Sequence, residues 1–379
     1  MKGVSMRSIV VALIAVAVAL TVTGCALKES PEQPSAQASP TSSALPVEGS
    51  CKSPDAPPAD VTNKPGYQQF DVSVTNSIGW PVPGLAQHDF VLNAGSQTLP
   101  LAYFREHKND DPVAIALVVD SSISMGSKLP TVKPSLGEFL KNLSPCDEAG
   151  LFVFDSQVYL LQPFSTDHQT AAERIKLLNA SGKSALYDAT NAALQRLERT
   201  DYPNRKLILI SDGIDNSSTV NEQAVAARAT KDGIPIYAIG IGDPNAPEKT
   251  GITIGPVHIV GQSYIPAGEA IVAGPPGIGE HTAYVPGVQP AWPATDRVDA
   301  KAIENLSASA GGRGFIVPSR GEAAGNSFET AILAVADNVA KGYTIGAIVP
   351  DGINPSTVKV SVAKLPNLDV QSHPIPPAH

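Results

Sequence analysis

From Val113 onward, short apolar runs alternate with amphipathic stretches, and this alternation limits the possible folds more than any other feature of the chain. The runs cover residues 113–119, 151–154, 207–210, 236–241 and 315–317. Between them, apolar residues recur at helical spacing: Leu136, Phe139, Leu140 and Leu143; Leu186, Ala189, Ala193 and Leu197; Val298, Ala302 and Leu306; Phe328, Ile332, Val335 and Val339. Strands too short and too apolar to face water, separated by helices, predict an α/β fold with a doubly wound, mostly parallel sheet. Pro134 falls inside the first helical pattern, so that helix is expected to start late or to kink.

Both flanks of this region read differently. Phe70, Val72 and Val74 alternate, and residues 90–92 and 99–103 bracket Ala94-Gly95-Ser96, a pattern of short antiparallel strands and tight turns. Val358, Val360 and Val362 alternate again after the apolar run at 343–349. The N-terminal part (63–108) and the C-terminal part (343–373) therefore predict one small flanking antiparallel β module around a domain at 109–342. Residues 243–293 break the α/β alternation with Gly and Pro and read as an insertion. It follows the run at 236–241, so it should emerge at the carboxyl edge of the sheet and border whatever is built there. Its Gly274-Pro-Pro-Gly-Ile-Gly279 stretch is no phosphate loop, because it lacks the Lys-Ser/Thr ending and its prolines have no N–H to offer.

The N-terminus reads as a processing segment. Lys2 and Arg7 precede an apolar run at 9–20, shorter than the roughly 18 residues a spanning helix needs, which ends at Val22-Thr-Gly-Cys25. The segment resembles a bacterial lipoprotein signal, which implies removal of residues 1–24 and lipidation of Cys25. An ordinary signal peptide or an uncleaved anchor is the competing reading. Ala26 is not the aspartate that retains such lipoproteins at the inner membrane, which favours the outer membrane or cell surface. Residues 25–62 are rich in Pro, Ser and Ala and are expected to be a disordered tether. Two cysteines remain, Cys51 and Cys146, for which export permits a disulfide while two free thiols stay open.

Asp120, Ser122 and Ser124 stand on alternate residues just after the apolar run at 113–119. That spacing aims one carboxylate and two hydroxyls to one side of a loop, at the strand end where open α/β sheets bind ligands. Such hard oxygens suit Mg²⁺ or Mn²⁺. A helix N-cap would explain the same residues without a metal.

Asp120-x-Ser122-x-Ser124 after a buried strand resembles the metal-ion-dependent adhesion site of von Willebrand factor A (VWFA) domains, a Rossmann-like fold. Two further stretches are similar to the family's other site loops: Gly182-Lys183-Ser184-Ala-Leu-Tyr-Asp188 and Leu207-Ile-Leu-Ile-Ser-Asp212-Gly213. The resemblance implies that Ser184 stands where the family has a Thr and that Asp212 holds a coordinated water. Asp155, Asp188 and Asp215 read as turn or capping residues, with a supporting place behind the metal ligands as the alternative. Val82-Pro-Gly-Leu85, Asp89-Phe90 and Tyr343-Thr-Ile-Gly346 resemble VWFA-related proteins described from acidobacteria.

The implied function is capture of a protein partner by its Glu or Asp through the bound cation, with no bond-breaking chemistry. A metal-independent structural envelope lipoprotein is the first alternative. A hydrolase with Asp120 as nucleophile is the second, weakened because Ser122 stands where such enzymes carry a second carboxylate. No Gly-x-Ser-x-Gly elbow or metalloprotease helix motif occurs. The formal net charge of −9 over 379 residues, without clustered Lys and Arg, argues against a nucleic-acid partner.

Overall fold

Val113–Asp120 is buried along its whole length, and its alternate residues serve two separate cores. Ala114, Ala116 and Val118 pack with Leu186, Ala189, Ala193 and Leu197. Ile115, Leu117 and Val119 pack with Leu136, Leu140, Phe328, Ile332 and Val335. A strand with water on neither face lies at the centre of a sheet covered by helices on both sides.

The computed structural model describes residues 51, 54–108, 111–246, 264–265 (backbone only), 296–319, 323–363, 365 and 367–375. A helical turn α1 (Ala59–Thr62) leads to strands β1 (Tyr67–Thr75), β2 (Phe90–Ala94), β3 (Gln97–Leu99) and β4 (Leu101–Glu106). The α/β region follows with β5 (Val113–Asp120), α2 (Leu129–Lys141), β6 (Glu148–Phe154), β7 (Val158–Ser165), α3 (His168–Lys176), α4 (Leu186–Glu198), β8 (Asn204–Ser211), α5 (Glu222–Asp232) and β9 (Ile236–Ile241). Then come β10 (Tyr264–Ile265), α6 (Ala300–Ala308), β11 (Arg313–Val317) and α7 (Ala323–Ala340), before β12 (Tyr343–Ile348), β13 (Lys359–Val362) and β14 (Asp369–Ile375) close the chain.

The main sheet runs β10-β7-β6-β5-β8-β9-β11. From β6 through β11 the strands are parallel, and β7 and β10 add an antiparallel edge. The C-terminal strands rejoin the N-terminal ones in two antiparallel sheets, β14-β1-β12-β4 and β13-β2-β3. Tyr343 organises this module, with its ring 5.0 Å from Phe90 and 5.8 Å from Phe104 between centroids. Its hydroxyl donates to Val82 O at 2.7 Å and accepts from Leu85 N at 3.1 Å, pinning the Val82–Leu85 turn. The architecture is the doubly wound domain with a flanking β module that the hydrophobic pattern predicts.

The module docks at the amino edge of the main sheet. Asp71 of β1 pairs with Lys206 near the start of β8, and Arg313 at the start of β11 reaches Asp369 at 3.0 Å and Thr75 Oγ1 at 2.7 Å. This leaves the carboxyl edge, where Asp120 ends β5, clear of the module's strands.

Three expectations change. The tether is shorter than 25–62, because Cys51 forms a disulfide with Cys146 (Cα–Cα 5.5 Å) and α1 orders residues 59–62. Pro134 does not delay α2; the helix starts five residues earlier, at Leu129, and carries Pro134 inside it. Pro134 removes only its own bond to the Pro130 carbonyl, one turn from the helix start. The antiparallel strand β7 and the helices α3 and α5 appear in addition to the expected elements. The signal segment with Cys25 lies outside the described residues. So does most of the 243–293 insertion, whose stems meet where Asp243 N donates to Asp296 O at 2.6 Å.

Candidate metal centre

The carboxyl edge carries three loops, each turned by its own short side chains. In the first, the Asp120 carboxylate accepts from Ser122 N at 2.8 Å, so the residue ending the strand also bends the chain away from it. Ser121 fixes the bend by donating from both N and Oγ to Phe154 O, at 2.7 and 3.0 Å. Buried Met125 anchors the far side in the core. Between these anchors Ser122 Oγ and Ser124 Oγ sit 3.1 Å apart. The other oxygen of Asp120 accepts from Ser211 Oγ at 2.6 Å.

Residues 179–185 form the second loop, which is laced to the first by backbone bonds. Ser181 N donates to Ser121 O at 2.8 Å, and Ile123 N to Gly182 O at 3.2 Å. Gly182 adopts φ +65°, and a Cβ there would meet Ser156 Oγ at 2.7 Å, so this turn requires glycine. Asp155 accepts from Ser181 Oγ at 2.8 Å, and Asn216 Oδ1 accepts from Ser184 N at 2.9 Å. Ser184 Oγ, two per cent exposed as a residue, is left with no hydrogen-bond partner.

The third loop brings Asp212 to the end of β8. Its carbonyl accepts from Asp299 N at 2.7 Å, tying it to the start of α6, and its carboxylate accepts from Ile214 N at 3.2 Å. The second carboxylate oxygen takes Lys128 Nζ at 2.9 Å, and both side chains are fully buried. Lys128 Nζ also lies 3.4 Å from Arg297 O.

The backbone thus brings the Asp120, Ser184 and Asp212 loops together at one edge. Asp188 and Asp215 are loop-holding groups: Asp188 accepts from Thr219 N and Val220 N, and Asp215 from Ser218 Oγ. Sequence reasoning missed Lys128, Ser211 and Asn216. No signal in the chain marks Ser211 or Asn216, and a lysine at the start of an amphipathic helix reads as a solvated residue.

Burial, and then the neighbouring Asp212 carboxylate, push Asp120 up to about 7. A buried carboxylate whose own hydrogen-bond donors carry no charge favours a bound cation. The donors fit a small hard divalent ion, since they are carboxylate and hydroxyl oxygens with no sulfur or imidazole. Ser184 Oγ is the stronger sign, because a buried hydroxyl without a partner is uncommon in folded proteins. Among the described residues no three His, Cys, Asp or Glu side chains are grouped so as to hold a metal ion, so a cation here depends on the serines.

A doubly wound sheet with these three loops at its carboxyl edge defines a class, and the chain carries a von Willebrand factor type A domain. The family model of that name matches residues 114–260. Domains of this class typically mediate protein–protein interaction or adhesion. Among curated proteins, the chain is 30% identical over 146 residues to the UPF0353 protein of Mycolicibacterium paratuberculosis, covering 34% of this chain and 44% of that one. It is 27% identical over 175 residues to inter-alpha-trypsin inhibitor heavy chain H4 of Bos taurus, covering 41% and 19%. The chain thus spans less than half the length of these relatives. Among solved structures it is similar to BatB from Bacteroides thetaiotaomicron, with 17% identity, a TM-score of 0.40, and coverage of 59% of this chain and 98% of that one.

Proposed function

We propose that the carboxyl-edge loops hold Mg²⁺ or Mn²⁺ through Asp120, Ser122, Ser124 and Ser184, with Asp212 behind them, and that the ion captures a Glu or Asp of a protein partner. The observation that carries this reading is the buried Ser184 Oγ without a partner, in a loop laced to the Asp-x-Ser-x-Ser turn. When bound, the cation supplies positive charge for a partner's carboxylate. The chain's own residues do the rest. Asp120 gives the directly held carboxylate, the serine hydroxyls add neutral oxygens, and the Gly182 and Asp155 contacts keep the Ser184 loop in place. Only one carboxylate is committed to the ion, which leaves it charge with which to attract an acidic side chain.

The test is calorimetric titration of Mg²⁺ and Mn²⁺ into metal-stripped soluble protein starting after Cys25, beside Asp120→Ala. Binding in the parent and none in the variant is expected. Equal binding in both would move the metal elsewhere. The Lys128–Asp212 pair favours one alternative, a metal-independent structural envelope protein, since a cation already sits on Asp212. Absence of binding in the parent selects it.

The lipoprotein-like N-terminus supports anchoring through lipidated Cys25 in the cell envelope, with the outer membrane or cell surface favoured. Fatty-acid labelling of the expressed protein should disappear in Cys25→Ser; label that persists would refute the anchor. Among the described residues no helix is long and apolar enough to cross a membrane.

A further inference from the structure

Lysine is seldom buried completely, and Lys128 is, directly behind the loop that carries Ser122 and Ser124. Its ammonium meets Asp212 Oδ2 at 2.9 Å and Arg297 O at 3.4 Å. The other Asp212 oxygen accepts from Ile214 N at 3.2 Å, so both oxygens of this carboxylate are engaged within the protein. Asp120 differs in kind. Its oxygens accept from a backbone N–H and from the Ser211 hydroxyl, and neither donor carries a charge.

We propose that Lys128 is a resident counter-cation that takes Asp212 for itself and thereby sets how strongly the site can hold a divalent ion. This rests on the metal reading above and adds to it the residue that determines affinity. With Asp212 neutralised, the site offers an incoming ion the charge of Asp120 alone, and it does so beside a fixed positive group. An ion held this weakly gains most from an additional carboxylate, so metal uptake and capture of an acidic partner become one coupled event. A fixed unit charge a few ångströms away, in a medium of effective dielectric about 20, changes a binding constant by about tenfold or more.

The experiment is Mg²⁺ and Mn²⁺ titration into four metal-stripped proteins: parent, Lys128→Met, Asp212→Asn, and Lys128→Met/Asp212→Asn. Thermal midpoints are measured with and without ion as a fold control. Lys128→Met should bind at least about tenfold tighter than the parent, and Asp212→Asn at least about tenfold weaker, because it leaves the ammonium uncompensated. Removing Lys128 from the Asp212→Asn background should restore affinity by about tenfold or more. Should Lys128→Met fail to fold without ion, this second comparison decides, because the double variant strands neither member of the Lys128–Asp212 pair. No gain on removing Lys128 in either background, with the parent still binding, overturns the inference and leaves the metal reading standing. Binding in Lys128→Met and not in the parent supports the role of Lys128, which then holds the site closed to metal, and selects the metal-independent reading for the parent. Silence in all four proteins overturns both readings together.

Discussion

Among the described residues, a lysine–aspartate pair lies at each edge of the main sheet, and the surroundings of the two pairs differ. At the amino edge Lys206 holds Asp71, which also faces His107 Nε2 at 3.7 Å and His373 Nε2 at 3.6 Å. Burial works against the Asp71 charge, but Lys206 and the two histidines outweigh it and hold its carboxyl well below the usual range. His107 in turn contacts Thr344 Oγ1 at 2.9 Å. This cluster pairs its charges internally, lines a cavity together with Tyr103, Arg105 and Arg205, and joins the β module to the α/β domain. At the carboxyl edge Lys128 and Asp212 lie deeper, both fully buried, but beside them Asp120 is pushed up to about 7 and Ser184 Oγ has no partner. A satisfied cluster stabilises the fold, whereas an incomplete one marks the place where something from outside belongs.

The sharpest way to break this comparison is to remove one member of each pair. Asp71→Asn should cost about 3–5 kcal/mol, because it strands Lys206 in the interior, and added Mg²⁺ should not restore it in a denaturant titration. Lys128→Met should lose a comparable amount, about 3–5 kcal/mol, and regain part of it when Mg²⁺ is present. Equal responses to Mg²⁺ at the two edges would remove the distinction. Next in size, Cys51→Ser should lower stability by about 2–4 kcal/mol, since the bridge closes a long loop in the unfolded chain. Urea unfolding without reductant would measure it, and an unchanged midpoint would count against a stabilising bridge.

The pH dependence probes the amino edge through its histidines, against an opposing contribution from Asp120, whose raised value of about 7 makes the fold gain stability as pH falls through the same window. Burial holds His107 and His373 down to about 4, despite the adjacent Asp71 carboxylate. The unfolded chain takes up these protons below the ordinary value of 6.5, while the folded chain refuses them until about 4. Their contribution is therefore complete above 6.5 and is lost as pH falls toward 4. The expected loss is on the order of 2–3 kcal/mol for each histidine. His373→Gln should flatten this slope in unfolding curves across the window, and an unaltered slope would clear His373 of the effect. The smallest effect on stability belongs to Ser184→Ala, less than about 1 kcal/mol, because the hydroxyl has no bond to lose. The same change should weaken Mg²⁺ binding by about tenfold, equivalent to about 1.4 kcal/mol of ion affinity. Unchanged affinity would exclude Ser184 from the site.

The central sheet was readable in the sequence because its strands are continuous apolar runs between helices with a clear large-residue stripe. Helices α3 and α5 escaped notice because their buried faces rely on small residues, Ala171 and Ala172 in one and Ala229 in the other, beside a single larger apolar residue each, Ile175 and Val225. Strand β7 was missed because Gln162 and Pro163 interrupt its apolar pattern, and at its antiparallel position toward the edge of the sheet such residues are tolerated. Asp120, Ser122 and Ser124 stood out through their spacing, a local property. Lys128 did not, because its role comes from Asp212, 84 residues away in the chain. Long-range pairing of this kind exists only once the strands are aligned.

The Cys51–Cys146 bridge also decides how mechanical load enters the protein. A pull on the chain upstream of Cys51 passes through the disulfide to Cys146, just before β6, and bypasses the covalent segment between them, including β1 to β5 and α2. Tension from a partner held at the Asp120 edge would meet it across the paired strands β5 and β6, whose hydrogen bonds share the load along seven residue pairs. The N-terminal strands of the β module lie inside the bridged loop and outside the path of force.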